Sequence, residues 1–273
     1  QGGSQCFPFY VYDEDGSNRR ENISDWALAQ FNEHYGRGAA DASTVNVLES
    51  SRRALTGTRA PTGGEIGKWD IFYYVYALLH QPAYREKYAA NLKRDLPHIP
   101  FVDSVEKFWQ YVEAGKRLAE LHVNYEKQAE YPLEMVENAE ARLDWRVEKM
   151  KLVKNPLPAS PKNPKSGFLG EGKPGHPPKS DDPQSDLGGA EGGKLVYNNF
   201  LTLRGIPAEA FEYRLGNRSA LDWIVDQYRV TVDPRSKIVN DPNDSDDPQY
   251  IVRLIKKVVT VSVETVRIVK GLP

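Results

Sequence analysis

The sequence predicts an α+β fold, with a mainly helical first part and a second part that combines strands with helices. Residues 103–125 show the clearest helical pattern, because their apolar side chains recur on one helix face. The stretch 141–153 alternates like a strand, and strand-like sequence resumes at Lys194. Between them lies a Pro/Gly-rich segment. We therefore expect a helical lobe packed with a small mixed or antiparallel β region, and a long flexible insertion.

The N-terminal elements are a short strand and a helix. The segment FPFYVYDEDG alternates aromatic and polar residues and stops at Asp15-Gly16, which predicts a strand followed by a turn. The segment NISDWALAQFNEHYG predicts a helix that either Asn22 or Ser24 caps and that Gly36 ends. Its predicted apolar positions are Trp26, Leu28, Phe31 and Tyr35.

Three further helices are expected between residues 69 and 125. Trp69 to His80 is apolar nearly all round, as in a buried helix. Pro82 suits the first position of the next helix, which Leu96-Pro97 would end. In the third helix, Asp103 with Glu106 resembles a capping box. The apolar stripe of that helix consists of Val105, Phe108, Trp109, Val112 and Leu121.

The composition changes sharply between Asn155 and Gly193, where Pro, Gly, Ser, Lys and Asp predominate. Such a segment cannot bury enough apolar surface to offset the entropy of ordering it, so we predict a mobile insertion. The alternative is a lysine-bearing loop that orders on DNA. Since strand-like sequence resumes at once, we predict one domain over 1–273, divided into parts 7–154, 155–193 and 194–273.

The last part begins with strand-like sequence and ends in a long predicted helix. NRSALDWIVDQY predicts a helix capped by Ser219, with Asp222 at its third position. RVTVDPRSKIVNDPN predicts a hairpin that turns at Asp233-Pro234. In the last segment Asp247 would cap a helix that begins at Pro248. The many β-branched residues leave a strand as the alternative there.

The overall composition is that of a globular protein and excludes several classes. Of 273 residues, 40% are hydrophobic and 27% charged, and Cys6 is the only cysteine, so neither an internal disulfide nor a cysteine-based zinc cluster is available. No apolar run is long enough for a membrane span and no signal-peptide pattern is visible, so we expect a cytoplasmic protein without membrane contacts. The net charge of −2 argues weakly against a nucleic-acid binder but does not exclude a localised basic face.

The sequence lacks the spacings that catalysis requires. TGGEIGKWD resembles a phosphate-binding loop, but Thr62 replaces its first glycine and Trp69 the magnesium-binding hydroxyl residue. An E-x-K spacing at residues 171–173 lies in the Pro/Gly-rich segment, without a strand to hold it. The five histidines form no metal-binding spacing, and His80 is interpreted as a core or capping residue. We therefore expect no catalytic residue, metal or cofactor in this chain.

Binding residues are the remaining candidates. Lysines and arginines on an exposed helix face and in turns would contact phosphates, and loop Asn and Arg side chains would read bases, because Asn matches adenine and Arg matches guanine. Turn chemistry explains the same asparagines equally well, and an ordinary solvated helix face would explain the helix cations. The phosphate candidates are Arg85, Lys87, Lys93, Arg94 and Lys237. The base-reading candidates are Asn198, Asn199, Arg214, Asn217, Arg218, Asn240 and Asn243.

Five blocks of sequence, taken together and in order, carry a family resemblance. They are FPFYVYDEDGSNRRENISDWAL, IFYYVYALLHQPAYREKYAANLKRDLPHIP, YRLGNRSALDWIVDQYRV, IVNDPND and DPQYIVRLIKKVVTVSVETVRIVKGLP. The set resembles the C-terminal target-recognition domain of type ISP restriction–modification enzymes, which are single-chain bacterial machines. The insertion at 155–193 and the irregular stretch near 44–66 look longer than the family pattern.

The resemblance implies a module that recognises double-stranded DNA in the bacterial cytoplasm. The methyltransferase and helicase–nuclease domains of the parent chain would be its partners and would use S-adenosylmethionine, ATP and Mg outside this fragment. One alternative is a docking module that couples those domains without reading bases, and a basic cleft beside the Asn- and Arg-bearing loops would argue against it. A stand-alone hydrolase would need a pocket that joins His80, Tyr76 and a carboxylate.

Overall fold

The computed structural model describes residues 6–36, 65–155, 191–244 and 246–273. Two compact units are present, one formed by Gln1–Tyr125 with Arg267–Pro273 and the other by Glu126–Val266. Nearly all of the predicted insertion at 155–193, including its E-x-K spacing, lies outside the described residues, as does most of the irregular stretch near 44–66. The prediction of an α+β fold is confirmed, and every registered strand pair of the described residues is antiparallel.

The first unit consists mainly of helices. Two strands of two residues each, β1 (Tyr10–Val11) and β2 (Arg20–Glu21), form a hairpin before helix α1 (Asp25–Tyr35). Helices α2 (Lys68–His80), α3 (Pro82–Lys87) and α4 (Val105–Val123) follow, with a short 3-10 turn at Asn91–Lys93.

The predicted extension of the helix from Pro82 to Leu96 is wrong, because α3 ends at Lys87. The chain leaves the helix through a turn and the 3-10 segment, and tyrosine hydroxyls then hold the part that follows. Tyr84, Tyr74 and Tyr35 donate their hydroxyls to the carbonyls of every second residue of the returning chain. Those carbonyls belong to His98, Pro100 and Val102.

Helices α2 and α4 cross closely in the core of the first unit. Tyr74, Phe108 and Val112 are completely buried there. A side chain at Gly115 would place its Cβ 2.0 Å from the carbonyl oxygen of Tyr73. The close approach therefore depends on a glycine at this position, since protein interiors have no room for such an overlap.

Two sequence-based details of the helix starts require correction. Ser24 caps α1 as expected, but Trp26 is 73% exposed rather than part of the apolar face. Ser104, not Asp103, caps α4 by accepting the backbone N–H of Lys107 at 3.3 Å. Asp103 instead pairs with the Lys107 ammonium, one helical turn away at 2.8 Å.

The second unit contains a four-stranded antiparallel sheet of order β3-β6-β5-β4. Its strands are β3 (Glu134–Glu137), β4 (Lys151–Lys154), β5 (Glu191–Val196) and β6 (Leu201–Pro207). The alternating stretch 141–153 is a strand only from Lys151 onward. Strand β3 was not predicted, because two of its four residues are glutamates, which are uncommon in strands. Its pairing with β6 also depends on residues far along the chain.

Small elements complete the second unit. The hairpin of β7 (Arg214–Leu215) and β8 (Arg218–Ser219) leads into helix α5 (Ala220–Gln227), and Ser219 with Asp222 forms the predicted capping box. The hairpin of β9 (Thr231–Val232) and β10 (Val239–Asn240) turns through Asp233, as predicted.

The last helix, α6 (Tyr250–Lys270), confirms the helix over the strand alternative but begins two residues after the predicted Pro248. Its apolar positions are mostly buried, which compensates for the modest helix propensity of its β-branched residues. Within the described residues, no helix combines the length and the apolarity that a membrane crossing would need.

Candidate nucleic-acid interface

An open cavity of about 400 Å³ lies in the second unit, beside the β7–β8 hairpin. Strand β8 contributes one arginine to its wall, helix α5 contributes two aspartates one turn apart, and a second arginine follows the end of that helix. With Lys149, which precedes β4, the cationic side chains of the cavity come from three separate parts of the chain. The lining residues are Lys149, Met150, Arg218, Asp222, Val225, Asp226 and Arg229.

The two arginines of the cavity share one carboxylate. Arg218 lies 3.1 Å from Oδ2 of Asp226, and Arg229 lies 3.2 Å from Oδ1 of the same residue. All three side chains are between 42% and 47% exposed. Ion pairs exposed to this degree contribute about 0–1 kcal/mol to stability, so an incoming anion can replace the carboxylate at little cost.

A second ion pair stands at the start of helix α5. Lys154 from β4 donates to Asp222 at 2.8 Å, and Ser219 donates both its backbone N–H and its hydroxyl to the same carboxylate. Burial raises the pKa of Asp222, but the hydrogen bonds from Lys154 and Ser219 outweigh it and bring the pKa below its ordinary value. Asp222 is therefore ionised at neutral pH and holds Lys154 near the cavity.

Arg229 retains hydrogen-bonding capacity that the fold leaves unused. Its Nε–H is buried and has no hydrogen-bond partner among the described residues. A buried donor without a partner costs about 1–3 kcal/mol. The described part of the unit therefore leaves one donor of this guanidinium without a hydrogen bond.

The β7–β8 hairpin brings together three of the predicted base-reading residues, Arg214, Asn217 and Arg218. Gly216 adopts a left-handed φ of +69° in this turn, and Arg214 donates to the backbone carbonyl of Asn217. The guanidinium carbon of Arg218 lies 5.3 Å from the ring centre of Trp223, an attractive cation–π arrangement. The half-exposed Trp223 is fixed by its own bond to the Leu215 carbonyl at 3.0 Å.

Two of the predicted base-reading residues are engaged inside the fold. Asn198 donates to the carbonyls of Asp144 and Arg146 and accepts the backbone N–H groups of Phe200 and Leu201, at 2.8–2.9 Å. Asn243 makes two hydrogen bonds to the backbone of a single buried residue. Turn and loop chemistry, the alternative explanation of these asparagines, thus accounts for both side chains.

The other predicted residues lie apart from the cavity lining and are exposed. Asn199 follows the end of β5, and Lys237 and Asn240 belong to the β9–β10 hairpin. The four other predicted cations are in the first unit, two on α3, one at the end of the 3-10 turn and one directly after that turn. They are Arg85, Lys87, Lys93 and Arg94.

Sequence reasoning missed Lys149, Lys154, Trp223 and Arg229 as members of the site. Lys154 and Asp222 are 68 residues apart, so no local spacing announces their pairing. Only the i, i+3 relation of Asp226 and Arg229 at the end of a helix was visible as a local signal.

Tyr76, His80 and His122 meet in the first unit, where α2 and α4 pack. The Tyr76 hydroxyl and Nδ1 of His122 are 2.7 Å apart, and Nδ1 of His80 donates to the Tyr76 carbonyl at 2.7 Å. Burial lowers the pKa of both histidines, to about 4 for His122. Both rings are therefore neutral near pH 7. In the part of the chain that the structure describes, no group of three or more His, Cys, Asp or Glu residues is placed to hold a metal.

Three solved structures are similar to the chain. A nuclease-deletion mutant of the Type ISP restriction-modification enzyme LlaGI, in complex with a DNA substrate mimic, is 36% identical over 77% of this chain and 16% of its own, with a TM-score of 0.54. The ATP-dependent Type ISP restriction-modification enzyme LlaBIII bound to DNA is 27% identical over 97% of this chain and 13% of its own, with a TM-score of 0.61.

The third structure is a DrdV–DNA complex, 31% identical over 98% of this chain and 21% of its own, with a TM-score of 0.65. The chain thus spans only a small part of each of these proteins. No curated protein sequence matches it significantly. The family described as the Type ISP C-terminal specificity domain matches residues 1–254. The chain therefore belongs to the Type ISP C-terminal specificity domain family.

Proposed function

We propose that this chain is the DNA-recognition module of a Type ISP restriction–modification enzyme and that it contacts duplex DNA through the cavity of the second unit. The observation that carries the proposal is the convergence of Lys149, Arg218 and Arg229 on one open cavity next to an Asn- and Arg-bearing turn. Phosphate contacts by such cations fix the register of a protein on DNA.

The shared carboxylate supports a phosphate-binding role for the two arginines. Asp226 holds both guanidinium groups with one oxygen each, which resembles the way in which a phosphate would bridge them. Since these ion pairs are about half exposed, exchange of Asp226 for a DNA phosphate would cost little. In the free protein the carboxylate therefore keeps the cations near the geometry that a phosphate requires.

Base reading would follow from side chains beside this anchor. Arg214 and Asn217 lie in the turn next to Arg218 and are exposed, so they are the members of the predicted set that an anchored duplex would meet first. Arginine matches guanine and asparagine matches adenine in the major groove. Asn198 and Asn243 would not read bases, because their amides form hydrogen bonds to the backbone within the unit.

The chain would contribute no chemistry of its own in this scheme. The parent's S-adenosylmethionine, ATP and Mg would bind to methyltransferase and helicase–nuclease domains outside this chain, and the whole would act in the bacterial cytoplasm. The DNA complexes of LlaGI, LlaBIII and DrdV support a DNA partner.

Anisotropy of a fluorescein-labelled, mixed-sequence DNA duplex at increasing salt tests the cavity. Each phosphate contact contributes about 0.9 to the slope of log K against log salt. We expect Arg218→Ala/Arg229→Ala to weaken binding and to make the slope shallower by the contribution of about two phosphate contacts. The matched pair Arg85→Ala/Lys87→Ala removes the same charge from the first unit. A larger effect of that pair, with none from the cavity pair, would assign the interface to α3 instead.

A docking function is the second candidate, and exposed aromatic side chains of the first unit favour it. Trp26 is 73% exposed on α1, and Phe7 and Tyr12 are more than half exposed. Exposed aromatic groups of this size are typical of protein–protein contacts. Absence of any duplex binding at low salt, in a chain shown to be folded, would favour this function over DNA recognition.

A further inference from the structure

The β9–β10 hairpin is exposed along its whole length. Every residue from Thr231 to Asn240 is exposed, although three of the ten are aliphatic. Val232, Ile238 and Val239 are 56%, 69% and 57% exposed. Single exposed apolar residues are ordinary, but a group of them on one small element indicates an interaction site.

The turn of this hairpin is held firmly by one side chain. Asp233 Oδ1 accepts the backbone N–H groups of Arg235 and Ser236 at 2.9 and 2.6 Å, and the Ser236 hydroxyl at 3.0 Å. Lys237 adopts a left-handed φ of 58°, and its N–H donates to the Asp233 carbonyl at 2.9 Å. The hydrogen bonds to Asp233 lower the pKa of its carboxyl group, which therefore stays ionised in the turn. With Arg235 and Lys237, the tip still carries a net positive charge.

The strand register sorts the exposed side chains onto two faces. Val232 pairs with Val239, and Thr231 pairs with Asn240. Since side chains alternate along a strand, the two valines share one face, while Thr231, Asn240 and Ile238 share the other. One face is therefore purely aliphatic, and the other combines an amide and a hydroxyl with an aliphatic group.

We infer that residues 231–240 form a β-ribbon that enters the major groove of duplex DNA and reads its sequence, an inference that rests on the proposed function. The major groove admits a two-stranded ribbon, and its bases offer amide partners as well as thymine methyl groups. Asn240 would supply the amide contact, and Ile238 and the valine pair would each supply a methyl contact.

The two cations at the tip, Arg235 and Lys237, would meet phosphates. A protein-docking surface is the competing assignment for this hairpin. Lysine is depleted at protein interfaces, whereas arginine is enriched there. Lys237 at the tip therefore favours an anionic groove over a protein surface.

Selection from a random-sequence DNA duplex pool tests the inference with the 273-residue chain. Wild-type protein is expected to enrich a sequence. Two double variants are compared with wild type, Ile238→Thr/Asn240→Ala and Val232→Thr/Val239→Thr. Both should keep the hairpin, because threonine is β-branched like the valines and the isoleucine that it replaces. We expect each to lose about tenfold in preference for the enriched duplex over a scrambled one, the effect of one lost base contact. Affinity for the scrambled duplex should stay near wild type.

Leu143→Thr is the control, since it changes a residue of the second unit that is 61% exposed. It should retain the full preference. The cavity variant Arg218→Ala/Arg229→Ala should weaken binding to both duplexes alike. If the hairpin variants enrich the same sequence as strongly as wild type, or if wild type binds duplexes without preference, the ribbon inference is wrong while DNA binding stands. If wild type binds no duplex, both proposals fail.

Discussion

The side chain of Asn243 satisfies the backbone of Val147 as a neighbouring strand would. Its Oδ1 accepts the Val147 N–H at 2.8 Å, and its Nδ2 donates to the Val147 carbonyl at 2.9 Å. Val147 is completely buried, so water cannot readily replace these two bonds. A single amide thus supplies the hydrogen bonds that Val147, which lies outside the regular strands, would otherwise receive from a paired strand.

Asn243→Ala should therefore destabilise the protein by about 2 kcal/mol, because it leaves a buried donor and a buried acceptor without partners. Urea unfolding followed by circular dichroism measures the change. Asn199→Ala is the matched control, since Asn199 is exposed and its backbone carbonyl, which Asn138 uses, is retained. The control should stay within about 0.5 kcal/mol of wild type. Equal stability of the two variants would contradict the structural role of Asn243.

Gly115→Ala should destabilise the first unit by about 3 kcal/mol, despite the higher helix propensity of alanine. The added Cβ would meet the backbone oxygen of Tyr73 at 2.0 Å, so α2 and α4 would have to separate. Gly36→Ala is the control, because its Cβ meets no described atom within 4 Å and its φ of −75° suits any residue. Thermal unfolding compares the two variants, and an unchanged midpoint for Gly115→Ala would disprove the close crossing.

Stability should fall as the pH drops from about 6.5 towards about 4, because burial lowers the pKa of His122 from 6.5 to about 4. In that window the unfolded chain binds a proton at this residue that the folded chain does not, so acid favours unfolding. Burial lowers the pKa of His80 in the same direction. Aspartates whose pKa lies below 3.8 add their own loss only at lower pH.

Urea midpoints at several pH values in this window measure the effect. His122→Gln should depend less on pH than wild type does, whereas His98→Gln, which changes an exposed histidine, should retain the wild-type dependence. A pH profile of His122→Gln identical to that of wild type would show that His122 does not set this dependence.

Asp226→Asn should increase the affinity for duplex DNA about fivefold, which corresponds to about 1 kcal/mol. The change removes the carboxylate that competes with DNA phosphates for Arg218 and Arg229. Asp246→Asn alters the net charge equally at an exposed position outside the cavity lining. Anisotropy at one salt concentration compares them. A gain no larger than that of Asp246→Asn would reduce the effect to overall charge and remove the cavity from the interface.

Local chemistry explains why many elements could be predicted from sequence. The capping box of Ser219 and Asp222 and the turn at Asp233 involve residues at most five positions apart. Helix α2 was equally visible, because a run of apolar residues bounded by Gly67 and Pro82 needs no distant partner to be recognised. In contrast, the tyrosine contacts with residues 98–102 have no local signal, because they join residues up to 67 positions apart.

The candidate site was only partly visible for the same reason. The sequence identified Arg214, Asn217 and Arg218, which share one turn. It could not distinguish the asparagines that complete the fold from those that are exposed, since Asn198 reaches Asp144 over 54 residues and Asn243 reaches Val147 over 96.

By itself, the sequence determined the α+β class and the resemblance to the type ISP target-recognition domain, and it supplied the residue types proposed for DNA contact. Those properties depend on composition, short-range periodicity and the order of blocks along the chain. Only the tertiary structure decided which cations converge. It brought Lys154 to Asp222, placed Arg218 and Arg229 on the two oxygens of Asp226, and left the β9–β10 hairpin exposed. Convergence and exposure arise from packing between distant segments, which no local pattern encodes.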